Sequence, residues 1–226
     1  MRLEFRISLY FKVIWGTARP ASLLAGLFFM TFAQAYAQTL EAEGGYSNHA
    51  SDTGRETWRG ISRRWWPSWK GWPFIDEYRS KDRLDLASTN EQLERYTAEF
   101  YQAHFWDAVR GDEVSRYSPE IACELFDAAV NHDPHDAARF LQEALNALNR
   151  GGKMFPDLEV DGALGALTLN AIGKIKDLPS LWWWMKISRG AHYMSIMRRN
   201  KSQEDFARGW AHRQMDGLVS CPVARK

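Results

Sequence analysis

The stretch Glu43-Gly44-Gly45-Tyr46-Ser47-Asn48 decides the fold, because a helical pattern stops there and a turn-rich pattern starts. From Thr31 onward, apolar residues recur at helical spacing and predict an amphipathic helix that carries Glu43 at its end. Residues 44–62 are rich in Gly, Ser, Asn, Asp and Thr, and they predict turns with a small β-hairpin. The strand-like parts are Tyr46 and Trp58-Arg59-Gly60-Ile61.

Two carboxylates and a hydroxyl group follow one another here: Glu43, Asp52 and Thr57. Two carboxyl groups in different environments can act as acid and base on opposite sides of a sugar ring. A negative charge at a helix C-terminus opposes the helix dipole, and partial burial there raises a carboxyl pKa, so Glu43 is the candidate general acid. Asp52 fits two roles, the positioning of a water or of transition-state charge, and an ordinary turn. Thr57 fits either a hydroxyl that holds the attacking water or an ordinary strand residue.

The rest of the chain predicts an α+β class that is mainly helical with one small β-hairpin region. Ser88 and Glu91 have the spacing of a capping box. Ser118-Pro119 and Asp133-Pro134 each predict a helix start with proline in the first turn. The remaining signals are a helix end at Gly151-Gly152, a tight turn at Asp161-Gly162, and helices over about 167–172, 180–199 and 204–215.

Composition narrows the possible ligands. The net charge of +1 over 226 residues gives no basic footprint for nucleic acid. Eleven tryptophans are unusual, and although most Trp residues pack in cores, flat indole faces also suit sugar rings. Cys123 and Cys221 form no metal pattern; a buried thiol is expected at Cys123, and pairing of the two stays open. The candidate glycan contacts are Tyr46, Trp58, Arg55 and Asn131, although Asn131 also suits a helix C-cap.

The N-terminal residues 1–29 allow two interpretations. An apolar run over 21–33 follows Arg19, and Ala35-Tyr36-Ala37 is typical of a signal-peptidase site, so the segment can be an export signal or anchor. Cleavage after Ala37 would remove half of the helix that carries Glu43. The second interpretation therefore places the translation start at Met30 and makes residues 1–29 an upstream extension.

These residues carry a family resemblance. The Glu43–Asn48 string, followed by Asp52-Thr53-Gly54, Glu56-Thr57 and Gly60-Ile61-Ser62, resembles the signature of the family 108 glycoside hydrolases, which are lysozyme-like N-acetylmuramidases of phages and bacteria. The similarity continues through residues 101–142, and residues 161–213 are similar to the predicted peptidoglycan-binding domain of the same family. The departures are His49-Ala50 for the usual Asp-Pro, Thr53-Gly54-Arg55 for Pro-Gly-Gly, and a longer, more aromatic segment over 65–86.

The resemblance implies a lysozyme-like catalytic domain over 30–118 and a helical peptidoglycan-binding domain over 119–226. It implies hydrolysis of the β-1,4 bond between N-acetylmuramic acid and N-acetylglucosamine by a monomer, with Glu43 as the general acid, Asp52 and Thr57 as helpers, and no cofactor or metal. An endolysin of phage or prophage origin would reach the periplasm or cell wall after export or lysis, and it would stay cytoplasmic before release if translation starts at Met30.

Two alternatives to this activity are carried forward. One is a non-catalytic protein that binds peptidoglycan or assists secretion with a lysozyme fold. The other, a wall amidase or peptidase, is disfavoured because His104, His132 and His135 lack a zinc-binding spacing. Inversion or retention at the anomeric carbon stays open, because it depends on the distance between the two carboxyl groups.

Overall fold

The computed structural model describes residues 30–40, 45–48 and 56–220 of the chain. The predictions for residues 1–29, Glu43, Asp52, Arg55 and Cys221 lie outside this part. The described residues form two compact units. The first contains residues 33–40, 45–48 and 56–104, and the second contains residues 30–32 and 105–220.

The first unit combines short helices with a small antiparallel sheet. Helix α1 (Phe32–Leu40) begins next to the predicted position, and its Ala35, Tyr36 and Thr39 are buried, as the helical spacing predicted. The sheet has the order β1-β2-β3. Its strands and the following helices are β1 (Tyr46–Asn48), β2 (Glu56–Trp58), β3 (Ile61–Ser62), α2 (Trp72–Ser80), a 3-10 helix (Leu84–Thr89) and α3 (Glu91–Tyr101).

Helix α3 begins differently from the predicted capping box. Asn90, with an extended backbone, is the N-cap, and its side-chain oxygen accepts a 2.9 Å hydrogen bond from the backbone N–H of Leu93. Ser88 instead lies inside the preceding 3-10 helix. The prediction was wrong because Asn is as good an N-cap as Ser, and it sits one residue before Glu91.

The second unit is helical. A π-helical turn (Gln102–Trp106) precedes it, and the N-caps Ser118 and Asp133 begin its two central helices as predicted, each followed by proline. The helices are α4 (Gly111–Ser115), α5 (Pro119–Asn131), α6 (Pro134–Leu148), α7 (Ala166–Lys174), α8 (Leu178–Arg199), a 3-10 helix (Lys201–Phe206) and α9 (Ala207–Ser220).

The core of the second unit lies where α6 packs against α5 and α8. The predicted stripe of α5 is fully buried, and its members are Ile121, Ala122, Leu125, Phe126 and Ala129. A buried ion network crosses from α5 to α8: Glu124 pairs with Lys186 at 2.6 Å and with Arg189 at 3.0 Å. Arg189 also bonds Asp127 at 2.7 Å.

The predicted turn at Asp161-Gly162 is confirmed. Gln142 on α6 holds it, since its amide donates to Asp161 at 2.7 Å and accepts from the Gly162 N–H at 2.9 Å. Gly162 has φ +71°, and a Cβ there would meet the His135 ring at 2.4 Å. The turn therefore requires glycine for both its backbone conformation and its packing.

The predicted class, α+β and mainly helical with a small β region, is confirmed by this element order. A buried thiol was expected at Cys123, but this prediction was wrong, because Cys123 is half-buried on α5. Among the described residues, no helix combines the length and apolar character needed to cross a bilayer. The domain boundaries proposed from the sequence stay a prediction.

Candidate active site

Thr57 lies at the centre of the three-stranded sheet. It is the cross-strand partner of Ser47 on β1 and of Ser62 on β3. Directly opposed residues project from the same face of a sheet, so the three hydroxyl side chains form a row across it, which we call the hydroxyl row. Ser47 and Thr57 are half-buried and Ser62 is buried. Thr57, the predicted water-holding residue, is therefore held on both sides by the neighbouring strands of the sheet.

Tyr46 and Glu56 lie on the other face of the sheet. The Tyr46 hydroxyl donates a 3.1 Å hydrogen bond to Oε1 of Glu56, a diagonal contact between β1 and β2. Tyr46 is half-buried, so part of its ring stays open to solvent. The predicted contact between Tyr46 and a glycan stays a prediction, and the bond to Glu56 fixes where the ring points.

Trp58 anchors the central strand to helix α3. It is 1% exposed, and its indole Nε1 donates a 3.1 Å hydrogen bond to Thr97 on α3. This position is next to Thr57 in sequence and on the opposite face, as the period of two in a strand requires. The structure thus places Trp58 in the core of the first unit, and its predicted glycan contact stays a prediction.

A cluster of four charged residues fixes the edge of the sheet to α2. Glu56 pairs with Arg63 and with Arg79, each at 2.9 Å. Asp76 on α2 receives hydrogen bonds from Arg63 at 2.7 Å and from Arg79 at 2.8 Å. The hydrogen bonds from Arg63 lower the pKa of Asp76, opposed by partial desolvation. The cluster was not predicted, because its members come from β2, the turn after β3, and α2, which are separated in the sequence.

Glu94 is a buried carboxyl group that sequence analysis also missed. It is 4% exposed on α3 and forms a 3.1 Å ion pair with Arg59, which occupies the β2–β3 turn with φ +44°. Burial raises the pKa of Glu94 to about 7, although the Arg59 guanidinium opposes this shift. A signal existed, because Glu94 lies three residues before Thr97 and seven before Tyr101, which places it on the buried face of the helix.

Asn131 is the last residue of α5, in the second unit. Its amide donates to the backbone oxygen of Asp127 at 2.7 Å and to the Asp127 carboxylate at 3.3 Å. His132, not Asn131, occupies the C-cap position. The predicted acetamido contact of Asn131 stays a prediction, as do the roles of Glu43, Asp52 and Arg55 outside the described residues.

One group of possible metal ligands occurs in the described part of the chain. Asp133, His135 and Asp136 bring ligand atoms within 4.8 Å of one another at the start of α6. The Asp133 carboxylate already accepts a 2.7 Å hydrogen bond from the Asp136 N–H as the helix N-cap. This bond accounts for the position of the Asp133 side chain without a metal ion, since aspartate is among the preferred N-cap residues.

Comparison with known proteins divides the chain in two. Residues 36–132 match the family model of glycosyl hydrolase 108. Residues 136–215 match the model of a predicted peptidoglycan domain. The first match contains all three predicted catalytic residues and Asn131. No curated protein matches the chain.

A solved structure shares the fold. Brucella abortus SagA is 20% identical, with a TM-score of 0.56, and the match covers 86% of this chain and 96% of that chain. At this identity the match shows the fold alone. Together with the family matches, it confirms the predicted lysozyme-like, mainly helical α+β class.

Proposed function

We propose that this chain cleaves the β-1,4 bond between N-acetylmuramic acid and N-acetylglucosamine. Its residues 36–132 match the glycosyl hydrolase 108 family model, and its residues 136–215 match the model of a predicted peptidoglycan domain. The two matches indicate a glycoside hydrolase that acts on peptidoglycan, without specifying the bond that it cleaves. The resemblance of the sequence around Glu43 to the family 108 N-acetylmuramidases implies the muramidase bond in particular.

In the proposed reaction, Glu43 donates its proton to the leaving glycosidic oxygen as the bond breaks. This step needs a carboxyl group that is still protonated near neutral pH. Asp52 stabilises the positive charge that develops on the sugar ring or orients the water on the opposite face. Thr57 holds that water through its hydroxyl group.

The observation that carries the proposal is the position of Thr57 in the matched segment. It stands on the central strand, paired with Ser47 and Ser62, and next to the anchored Trp58. A group that positions a water must itself be held rigidly, because small displacements cost much of the rate. The central strand supplies that rigidity.

The second matched segment supports wall binding. We propose that residues 136–215 hold the protein on peptidoglycan while residues 36–132 cleave the glycan. The reaction would take place in the periplasm or cell wall, after export or lysis, by a monomer. A lysis or wall-remodelling role fits this chemistry equally.

Mass spectrometry of a wall digest tests the bond. Purified walls treated with the protein should yield muropeptides with N-acetylmuramic acid at the reducing end, and the two products of each cut should together weigh one water more than the strand that was cut. Free stem peptides would instead indicate an amidase or peptidase. Fragments with N-acetylglucosamine at the reducing end would place the cut at the other glycosidic bond, and either result would contradict the muramidase assignment.

The predicted peptidoglycan domain also favours a second candidate, a protein that binds the wall without cutting it. Sedimentation with purified walls in the absence of any new reducing end would support that function. The appearance of new reducing ends would exclude it.

A further inference from the structure

The segment after β3 presents an exposed indole. Trp65 is 64% exposed and the adjacent Trp66 is 38% exposed. Among the described residues of the first unit, these two are the large hydrophobic side chains in the exposed class, and the others are half-buried or buried. An exposed indole keeps apolar surface in water, and a ligand that covers it gains the free energy of burying that surface.

The turn that carries Trp65 is rigid. The Trp66 N–H donates to the Ser62 oxygen at 2.9 Å, and the Trp72 indole donates to the Trp66 oxygen at 2.7 Å. The Trp66 ring packs edge-on against Phe100 with 4.9 Å between centroids. Trp65 is therefore held out from a fixed backbone, which reduces the entropy lost when a ligand binds.

Trp65 lies close to the hydroxyl row. Ser62, three residues before Trp65 in the chain, pairs directly with Thr57 across the sheet. Three peptide steps separate Ser62 from Trp65, so their Cα atoms are at most about 11 Å apart. A glycan strand whose cleaved bond lies at Thr57 would thus bring one of its neighbouring sugars within reach of this indole.

The chemistry beside Trp65 fits a sugar. The Arg64 guanidinium lies 5.2 Å from the centroid of the Trp65 ring. A sugar offers a C–H surface to an indole face, while its hydroxyl and acetamido oxygens accept hydrogen bonds from a guanidinium group. Membrane attachment fits less well, because two adjacent rings supply little apolar area and stable anchoring needs more than one signal.

We propose that Trp65 and Arg64 form an additional glycan subsite, in which Trp65 stacks on a sugar that neighbours the cleaved pair. The subsite rests on the proposed function, since it uses the same glycan strand. It adds a residue that sets the length of strand the enzyme prefers, without taking part in bond cleavage.

Kinetics of Trp65→Ala on long glycan strands freed of peptides test this subsite. We expect KM to rise roughly threefold to tenfold, as loss of one aromatic stack predicts, with kcat within about twofold of the wild type. Trp65→Tyr keeps a stacking ring and should restore most of the affinity. Tyr117→Ala removes an aromatic ring that is 40% exposed and lies outside the segment proposed to bind the wall, and it should leave KM unchanged.

An unchanged KM in Trp65→Ala would overturn the subsite. Loss of binding to phosphatidylglycerol vesicles in that variant, with KM unchanged, would also overturn it in favour of a membrane contact. Failure of the proposed function is distinguishable, because the wild type would then release no reducing ends. Retention on immobilised glycan strands would still decide the subsite, with weaker retention of Trp65→Ala supporting it and equal retention refuting it.

Discussion

The indole of Trp58 and the hydroxyl of Thr97 form a buried 3.1 Å hydrogen bond that joins the central strand to helix α3. Thr97 in turn donates to the Leu93 oxygen at 2.8 Å, so its hydroxyl has a partner on each side. Because Trp58 follows Thr57 directly, this bond fixes the strand that carries the hydroxyl row.

We predict that Trp58→Phe lowers the free energy of unfolding by about 1–3 kcal/mol, since it removes the buried hydrogen bond and some ring volume. Urea denaturation measures this. Thr97→Val removes the same bond from the other side, and the double variant should be less destabilised than the sum of the single variants. Strict additivity would show that the bond contributes nothing.

Glu94 predicts a pH dependence of stability. Its folded pKa of about 7 lies above its ordinary value of 4.5, so the folded state binds more protons between these values. The stability that this group contributes is fully present below pH 4.5 and is lost as pH rises through about 7. The full effect is of the order of 3 kcal/mol.

Glu94→Gln should therefore gain stability relative to the wild type between pH 5 and 8. Melting temperatures of both proteins across this range measure the difference. Glu99→Gln, at an exposed position on the same helix, should run parallel to the wild type. A constant difference between wild type and Glu94→Gln would show that Glu94 does not titrate in this window.

Arg189 connects the buried carboxylate of Glu124 with the half-buried carboxylate of Asp127. Burial alone would lower its pKa, but Glu124 and Asp127 outweigh this and raise it, so the side chain stays charged. Arg189→Leu would leave Glu124 and Asp127 without this partner, and we expect a loss of about 3–5 kcal/mol. The exposed pair of Lys201 and Glu204 offers a control, because Lys201→Ala should cost less than about 1 kcal/mol. Urea denaturation measures the free energy of unfolding of both variants. Similar losses in the two would contradict a stabilising role of Arg189 between the carboxylates.

In this chain the sequence predicts where helices begin better than it predicts contacts between residues that are distant in the sequence. The helix starts at Ser118 and Asp133 were recognised because each signal is local: the N-cap residue is followed directly by a proline. Helix α2 was missed, since a segment rich in Trp, Pro and Gly has no clear helical period. The buried Glu94 was missed because a carboxylate in the first helical turn is usually solvated and favoured by the dipole.

The candidate site shows the same limit. The strand positions of Tyr46 and Thr57 follow from the turn-rich composition around them. Which residues share a face does not, because a shift of one residue in register reverses every side chain. Only the observed pairing of Thr57 with Ser47 and Ser62 establishes the hydroxyl row.

Thr57→Ala should lower kcat on peptidoglycan by about 100-fold, because the attacking water loses its fixed position. The melting temperature should change little, since Thr57 is half-buried at the polar face. Thr57→Ser keeps the hydroxyl and should recover most of the rate. Ser47→Ala is the matched control from the same row. A Thr57→Ala enzyme with wild-type kcat would remove Thr57 from the mechanism.

Glu43 is proposed as the acid of a peptidoglycan hydrolase, and the release of reducing ends from purified walls by Glu43→Gln tests this role most directly. Loss of a general acid should reduce the rate at least about 100-fold with an unchanged melting temperature. Glu41→Gln, two residues upstream, should keep the wild-type rate. Release of reducing ends by Glu43→Gln at the wild-type rate would contradict the claim.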